Sequence, residues 1–384
     1  MSVELDPQRI AIVVEQILAC RRPIALATTG GGSLVINWLL GHPGASRAIV
    51  DAQIPYHEAA LADYLGQEGP HSATPETARC LARTAGHRAQ RFAQIDNALG
   101  VGATAALVTT RDRRGNDRAH LVIRTEDRYH LRRLAFIKHA AQRSEQETIL
   151  SLAMLDLLST VLGTEAPAQS MPVWVEIEDR QVPVNSAIEN LLSGQSTIVE
   201  LTSTGSAVEP KLDHRLLIAG SFNPLHDGHR GLAAAASRLS GRKATLELSV
   251  RNVDKPSLTY SEVIERWRGV QNETMDMVVT REPTFDGKAR LLPGCDFAIG
   301  YDTAMRVVEP RYYGTEADMF RALDELLTTG SRFFVAGRLW RGKYHGLSSI
   351  HIPSGYRQLF VEIPESDFRA DISSTDLRES QQAK

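Results

Sequence analysis

The segment Gly220-Ser221-Phe222-Asn223-Pro224-Leu225-His226-Asp227-Gly228-His229 holds two histidines three residues apart, between an apolar run and a helical pattern. Side chains three apart at the start of a helix share a face, so both imidazoles can address one ligand. Gly220 permits the turn that leaves the preceding strand, and Pro224 stiffens the loop. The first turn of a helix also offers free backbone N–H groups and a positive dipole end, which suit an anion, and Gly228 lets the backbone come close to a phosphate. A single histidine here would read as a capping or surface residue. The pair, in this setting, points to a phosphorylated ligand.

Far downstream, Ile372-Ser373-Ser374-Thr375-Asp376-Leu377-Arg378 puts two serines and a threonine at the opening of a helix. These are capping residues, and the same hydroxyls and amides hold phosphate. Arg378 lies one helical turn on, where its guanidinium adds a charge-assisted contact.

The elements that must position these groups are regular from His214 onward. Leu216 to Ala219 reads as a strand, His226 to Leu239 as a helix and Ala244 to Val250 as the next strand. Thr259 and Glu262 form a capping box before a helix that runs through Val270. Further strands fall at 277–280, 297–299 and 332–336, a helix begins at Thr315 and a last one near Ser374. Strands alternating with helices at this spacing imply a parallel sheet covered on both faces, with ligands beyond the carboxyl ends of its strands.

The first half predicts a helix over 7–20, a buried strand at 24–27 running into Gly30-Gly31-Gly32, and helices over 34–40 and 74–94. Two short strands follow at 103–109 and 118–124. Ser144 and Glu147 read as a capping box. The helix it opens ends near Gly163 and is apolar on most sides, so it is buried or part of a subunit interface, and a homo-oligomer is expected. Residues 164–172 and 203–210 read as linkers, with two short strands around a helical turn between them. The expected division is therefore a domain at 1–165, a connecting segment at 166–212 and a second domain at 213–384.

Composition bounds the partners. The 384 residues carry a net charge of −3, so no global basic field exists to hold a polyanion, and the 6% aromatic content disfavours a stacking platform for single strands. Cys20, Cys80 and Cys295 lie far apart with no CxxC, which excludes a disulfide framework or a zinc site and suits a reducing compartment. Neither an export signal nor a spanning segment is evident. The expectation is a soluble cytoplasmic protein with no nucleic-acid or membrane partner.

The two phosphate motifs together resemble those of the nucleotidylyltransferase superfamily, whose members carry an (H/T)xGH motif after the first strand and an ISSTxxR-type motif near the end. The resemblance covers 214–378. The GSFNP lead-in and the ISSTDLR run are most similar to nicotinamide or nicotinate mononucleotide adenylyltransferases, whereas cytidylyltransferases of the glycerol-phosphate type usually end in RTxGIST. The resemblance implies transfer of AMP from ATP to a pyridine mononucleotide with release of pyrophosphate, a step of NAD biosynthesis. It implies Mg²⁺ arriving with ATP, with no metal held by the protein itself. His226, His229, Lys255 and Arg378 would be the catalytic residues. Gly220, Ser221, Phe222, Asn223, Gly228, Asp302, Arg338, Ser373, Ser374 and Thr375 would bind the nucleotide, and Tyr313 the acceptor ring. A cytidylyl- or adenylyltransferase with another phosphorylated acceptor, and a nucleotide sensor without turnover, remain open beside this reading.

Residues 7–163 resemble the C-terminal domain of CinA, a nicotinamide mononucleotide deamidase family. Pro43-Gly44-Ala45-Ser46 is shared, but the AESCTGG run of that family stands here as Ala25-Leu26-Ala27-Thr28-Thr29-Gly30-Gly31. Ala27 replaces the serine, and Leu61 stands where a lysine is expected. A serine mechanism without its serine cannot run, so this domain is expected to be catalytically inactive. The fold class expected is α/β throughout, with a CinA-like α/β domain first and a Rossmann-like doubly wound parallel sheet second.

Overall fold

The computed structural model describes residues 5–110, 113–167, 171–205, 207–210, 214–253, 256–271, 273–340 and 343–369. The chain divides into two compact α/β units, 1–184 and 185–384. Among the described residues no helix is long and apolar enough to cross a membrane.

The first unit comprises α1 (Pro7–Ala19), β1 (Ile24–Thr29), α2 (Leu34–Leu40), β2 (Ile49–Gln53), α3 (Glu58–Leu65), α4 (Pro75–Ala93), β3 (Leu99–Ala106), β4 (Arg118–Arg124), β5 (Arg128–Phe136), α5 (Arg143–Leu162) and β6 (Val175–Pro183). Its sheet runs β2-β1-β3-β4-β5-β6, with β1 parallel to both neighbours and the later pairs antiparallel. Asp6 starts α1 by accepting from the amides of Gln8 and Arg9. The helix buries Ile10, Val13, Val14, Ile17 and Leu18, the 3.6-residue stripe of the sequence. α1, α2 and α5 enclose one core on β1 with Leu26. Ala25 and Ala27, pointing the other way from the pleat, join Leu61 and α4 in a second core. The apolar surround of α5 is thus buried within its own unit.

Glycines let α4 lie against β3. A Cβ on Gly100 would overlap the Ala82 carbonyl and the Gly86 amide, and one on Gly102 the Ala78 carbonyl. Backbone cannot yield as a flexible side chain does. Gly100→Ala is therefore expected to lower stability by about 1–3 kcal/mol, read from chemical denaturation of the full chain.

The 166–212 segment is shared between the units. β6 completes the first sheet, where Arg132 meets Asp179 and Arg133 meets Glu178 across the β5–β6 pair. Its charged residues are those of an exposed edge strand, which is why its period is unclear in sequence.

The second unit comprises α6 (Ser186–Ser193), β7 (Ile198–Leu201), β8 (Ala207–Val208), β9 (Leu216–Ala219), α7 (Asp227–Ser240), β10 (Ala244–Ser249), α8 (Tyr260–Arg268), β11 (Met277–Thr280), α9 (Phe285–Leu291), β12 (Asp296–Gly300), α10 (Tyr301–Val307), α11 (Glu316–Thr328), β13 (Phe333–Ala336), β14 (Arg338–Trp340), β15 (Lys343–His345) and β16 (Phe360–Ile363). The main sheet runs β16-β13-β12-β9-β10-β11-β7-β8, and β14 pairs with β15 apart from it. The six strands from β16 to β11 are parallel; β7 and β8 add an antiparallel edge. From β9 the chain steps one way through β10 and β11, then the other way through β12, β13 and β16. Right-handed crossovers in opposite directions put helices on opposite faces. α9, α10 and α11 accordingly share one core with Leu217, Phe297 and Phe333. α7 and α8 bury Leu232, Ala236, Val263 and Ile264. The order reverses between β9 and β12, and the crevice outside that point is where such sheets take ligands.

Candidate functional site

A cavity of about 730 Å³ opens at the carboxyl ends of β9 to β12. Gly220, Ser221 and Asn223 enter it after β9, Ser249 to Val253 after β10, Pro283 to Phe285 after β11, and Thr303, Arg306 and Val307 from α10. Among the described residues its charged lining is Arg251, Arg266, Lys288 and Arg306 against Glu247 and Glu262, an excess of cations that suits a phosphorylated ligand. Glu262 is occupied as the cap partner of Thr259. Arg266 ties its helix to the loop, donating from Nε to the Ser221 carbonyl at 3.0 Å.

The loop after β9 builds the histidine pair. Phe222 takes a left-handed backbone, φ +47°, and is 2% exposed. Its ring meets the His229 imidazole edge-on at 5.0 Å. Gly220 is required because a Cβ there would lie 2.8 Å from that ring. Phe222, expected at the nucleotide, is buried against His229.

His226 is the N-cap of α7, and its Nδ1 accepts from the Gly228 amide at 3.1 Å. His229 Nδ1 accepts from the His226 amide at 3.3 Å. The two rings lie 3.8 Å apart. With both Nδ1 atoms acting as acceptors, each neutral ring carries its proton on Nε2. Burial disfavours the charged form of both, with Arg230 adding to it, and His226 also opposes the charge on His229. The His226 pKa falls below the ordinary histidine value, and that of His229 falls to about 4. Nδ1 of each ring is thus engaged by backbone, and in His226 that contact is also the helix cap. Neither histidine lines the cavity itself; their loop neighbours do.

The other expected residues divide. Asp302 and Arg338 follow β12 and β13 and form an ion pair with each other, beside the cavity-lining Thr303. Tyr313 lines the cavity, and its hydroxyl donates to the Val307 carbonyl at 3.0 Å. Burial pushes that phenol well above its usual range. Lys255, Ser373, Ser374, Thr375 and Arg378 lie outside the described residues. Sequence reasoning missed Tyr312 and Arg306, which line the cavity together with the Arg306 guanidinium 5.6 Å from the Tyr312 ring centre. The tandem tyrosines were the available signal.

The first unit holds a second cavity of about 510 Å³, bordered by Thr28, Gly30, Gly31, Ser33, Ile54, Tyr56, Arg143, Ser144 and Glu147. Glu147 does not cap its own helix. Gln142 and Glu145 close that box, and the Glu147 carboxylate accepts from the amides of Gly32 (2.8 Å), Ser33 (2.6 Å) and Leu34 (3.3 Å) and from the Ser33 hydroxyl (3.0 Å). The glycine turn therefore already holds an internal carboxylate, which repels a phosphate. Ala27 and Leu61 are buried in the apolar core on the other side of β1. No nucleophile or base stands at either position. The full chain is accordingly expected to release no ammonia from nicotinamide mononucleotide, and release at enzymatic rates would overturn that expectation.

No protein-family model matches the chain, and no curated protein matches it. Among solved structures, the competence/damage inducible protein CihA from Agrobacterium tumefaciens is similar at 17% identity, covering 42% of this chain and 99% of its own, with a TM-score of 0.35. A competence or damage-inducible protein from Enterobacter asburiae is 11% identical over 42% of this chain and 98% of its own, with a TM-score of 0.34. A CinA superfamily protein from Escherichia coli is 14% identical over 42% and 94%, with a TM-score of 0.31. Similarities of this size assign no activity.

Proposed function

We propose that the second unit is a nucleotidyltransferase that moves AMP from ATP to a phosphorylated acceptor, a pyridine mononucleotide, and releases pyrophosphate. The observation that carries the reading is the histidine pair, each ring fixed through Nδ1 by a backbone amide and stacked on the other. It stands at a helix N-terminus beside a cation-lined cavity at the reversal of strand order.

In the proposed reaction an acceptor phosphate oxygen attacks the α-phosphorus of ATP in line. The new oxygen–phosphorus bond forms as the bond to the bridging oxygen of the β-phosphate breaks, and pyrophosphate leaves with that electron pair. No covalent protein intermediate is involved, so the chain contributes positioning and charge stabilisation. Nε2–H of His226 and His229 donates to phosphate oxygens. Lys255, Ser373, Ser374, Thr375 and Arg378 meet the developing charge on pyrophosphate, and the Tyr312–Tyr313 wall takes the acceptor ring. Mg²⁺ belongs to the substrate as MgATP. Glu247 and Glu262 of the cavity wall are both engaged within the protein.

The test is pyrophosphate release from MgATP with a panel of phosphorylated acceptors, repeated with His226→Ala. Release that depends on a pyridine mononucleotide and on His226 supports the reading. Nucleotide binding with no turnover on any acceptor would make the protein a sensor.

A further inference from the structure

The cavity wall contains a charged pair that the transfer chemistry does not use. Lys288 of α9 donates from Nζ to Glu247 Oε2 at 2.7 Å, with side-chain exposures of 8% and 1%. The Thr280 hydroxyl donates to Glu247 Oε1 at 2.9 Å, and the ammonium lies 5.0 Å from the Phe285 ring centre. Glu247, Lys288, Phe285 and Tyr313 all line the cavity.

Another buried pair of this unit sits elsewhere. Arg215–Glu200 lies at the opposite ends of the strands, where it borders no described cavity and clamps neighbouring segments. A buried ion pair contributes little net stability against an apolar pair of the same volume. In the wall of a ligand cavity such a pair is accounted for by what it reads.

Its chemistry is specific. The ammonium has N–H donors beyond the one given to Glu247, and the carboxylate has lone pairs beyond those taken by Lys288 and Thr280. Donor and acceptor stand side by side with no net charge. A primary carboxamide presents the complement, a carbonyl oxygen toward Lys288 and an N–H toward Glu247. A carboxylate presents acceptors only, and brings a second negative charge against the buried Glu247.

We infer that Glu247 and Lys288 are specificity-determining residues that select an acceptor whose ring bears a primary carboxamide over one bearing a carboxylate. The inference rests on the proposed transfer to a pyridine mononucleotide and narrows its acceptor to the amide form.

The test is calorimetric binding of nicotinamide mononucleotide and nicotinate mononucleotide to the full chain, with pyrophosphate release measured in parallel on the same two ligands. The amide is expected to bind tighter by about tenfold or more, since like charges placed together are strongly unfavourable in such a site. Glu247→Gln should narrow the gap by raising affinity for the carboxylate, while Lys288→Met should weaken both ligands. Equal affinities in the wild type, tighter carboxylate binding, or binding of neither ligand would each overturn the inference, whether or not the variants fold. An unchanged preference in folded Glu247→Gln would do the same. Amide-selective binding without pyrophosphate leaves the inference standing and removes the transfer reading. Pyrophosphate release that favours the carboxylate keeps the transfer reading and removes the inference.

Discussion

Replacing His229 by alanine is expected to lower kcat/KM for pyrophosphate release by about 10²–10³, the usual cost of removing one preorganised donor to developing charge. The ring is held from three directions: Nδ1 by the His226 amide, one edge by Phe222, one face by the His226 ring. Its Nε2–H is therefore aimed before substrate arrives. His226 needs a variant that separates its two duties, because alanine also removes a helix cap, at about 1 kcal/mol. Asparagine keeps a capping oxygen but cannot place a donor at Nε2. His226→Asn should keep the thermal transition of the wild type and still lose most of the rate; full activity would make the residue a cap alone. Acid should act in a related way. Ordinary histidines titrate near 6.5, whereas His229 is held down to about 4 and His226 is also lowered, so the folded protein keeps these rings neutral. Between about pH 6.5 and pH 4 the unfolded chain binds protons that the folded one refuses, so stability is fully present above that window and declines through it. The acid limb of kcat/KM from these rings should lie below 6.5, and a limb at or above that value would contradict neutral donors.

Arg378→Ala is expected to lower kcat and kcat/KM together, again by about 10²–10³, with KM for ATP little changed. In the sequence Arg378 stands one helical turn beyond Ser373, Ser374 and Thr375, whose hydroxyls and amides suit a phosphate. In the proposed reaction Arg251, Arg266 and Arg306 of the cavity wall would serve ATP in its ground state, so one more cation is best used on charge that appears during the reaction. A rise in KM with kcat unchanged would make Arg378 a uniform ATP contact. No effect on either constant would make it a solvated helix charge.

What could be read from the sequence was local. The strand–loop–helix around His226 and His229 depends on residues within ten positions of each other, and it forms as its spacing implies. The Thr259–Glu262 capping box likewise forms where the sequence places it. The similar pattern at Ser144–Glu147 does not, because the Glu147 carboxylate meets three amides more than 110 positions away at the glycine turn, and Gln142 and Glu145 cap the helix instead. A four-residue pattern cannot weigh a distant partner. Alternating strands and helices implied a parallel sheet, but not its order or the antiparallel edge of β7 and β8, which come from long-range pairing. Strand β5 was hidden by its arginines, one of which, Arg132, is buried by pairing with Asp156 and Asp179 from other elements. Glu247 was hidden in the same way, a single carboxylate inside the apolar run of β10 whose partner Lys288 lies 41 positions on.

The central claim is that the α-phosphorus of ATP is transferred to an acceptor phosphate. Supplying ATP labelled at the α-phosphorus, with Mg²⁺ and nicotinamide mononucleotide, and separating the products tests it directly. The account predicts label in a dinucleotide, formed in step with unlabelled pyrophosphate and lost in His229→Ala. Label that stays in ATP, or appears only in ADP or AMP with no dinucleotide, would contradict it.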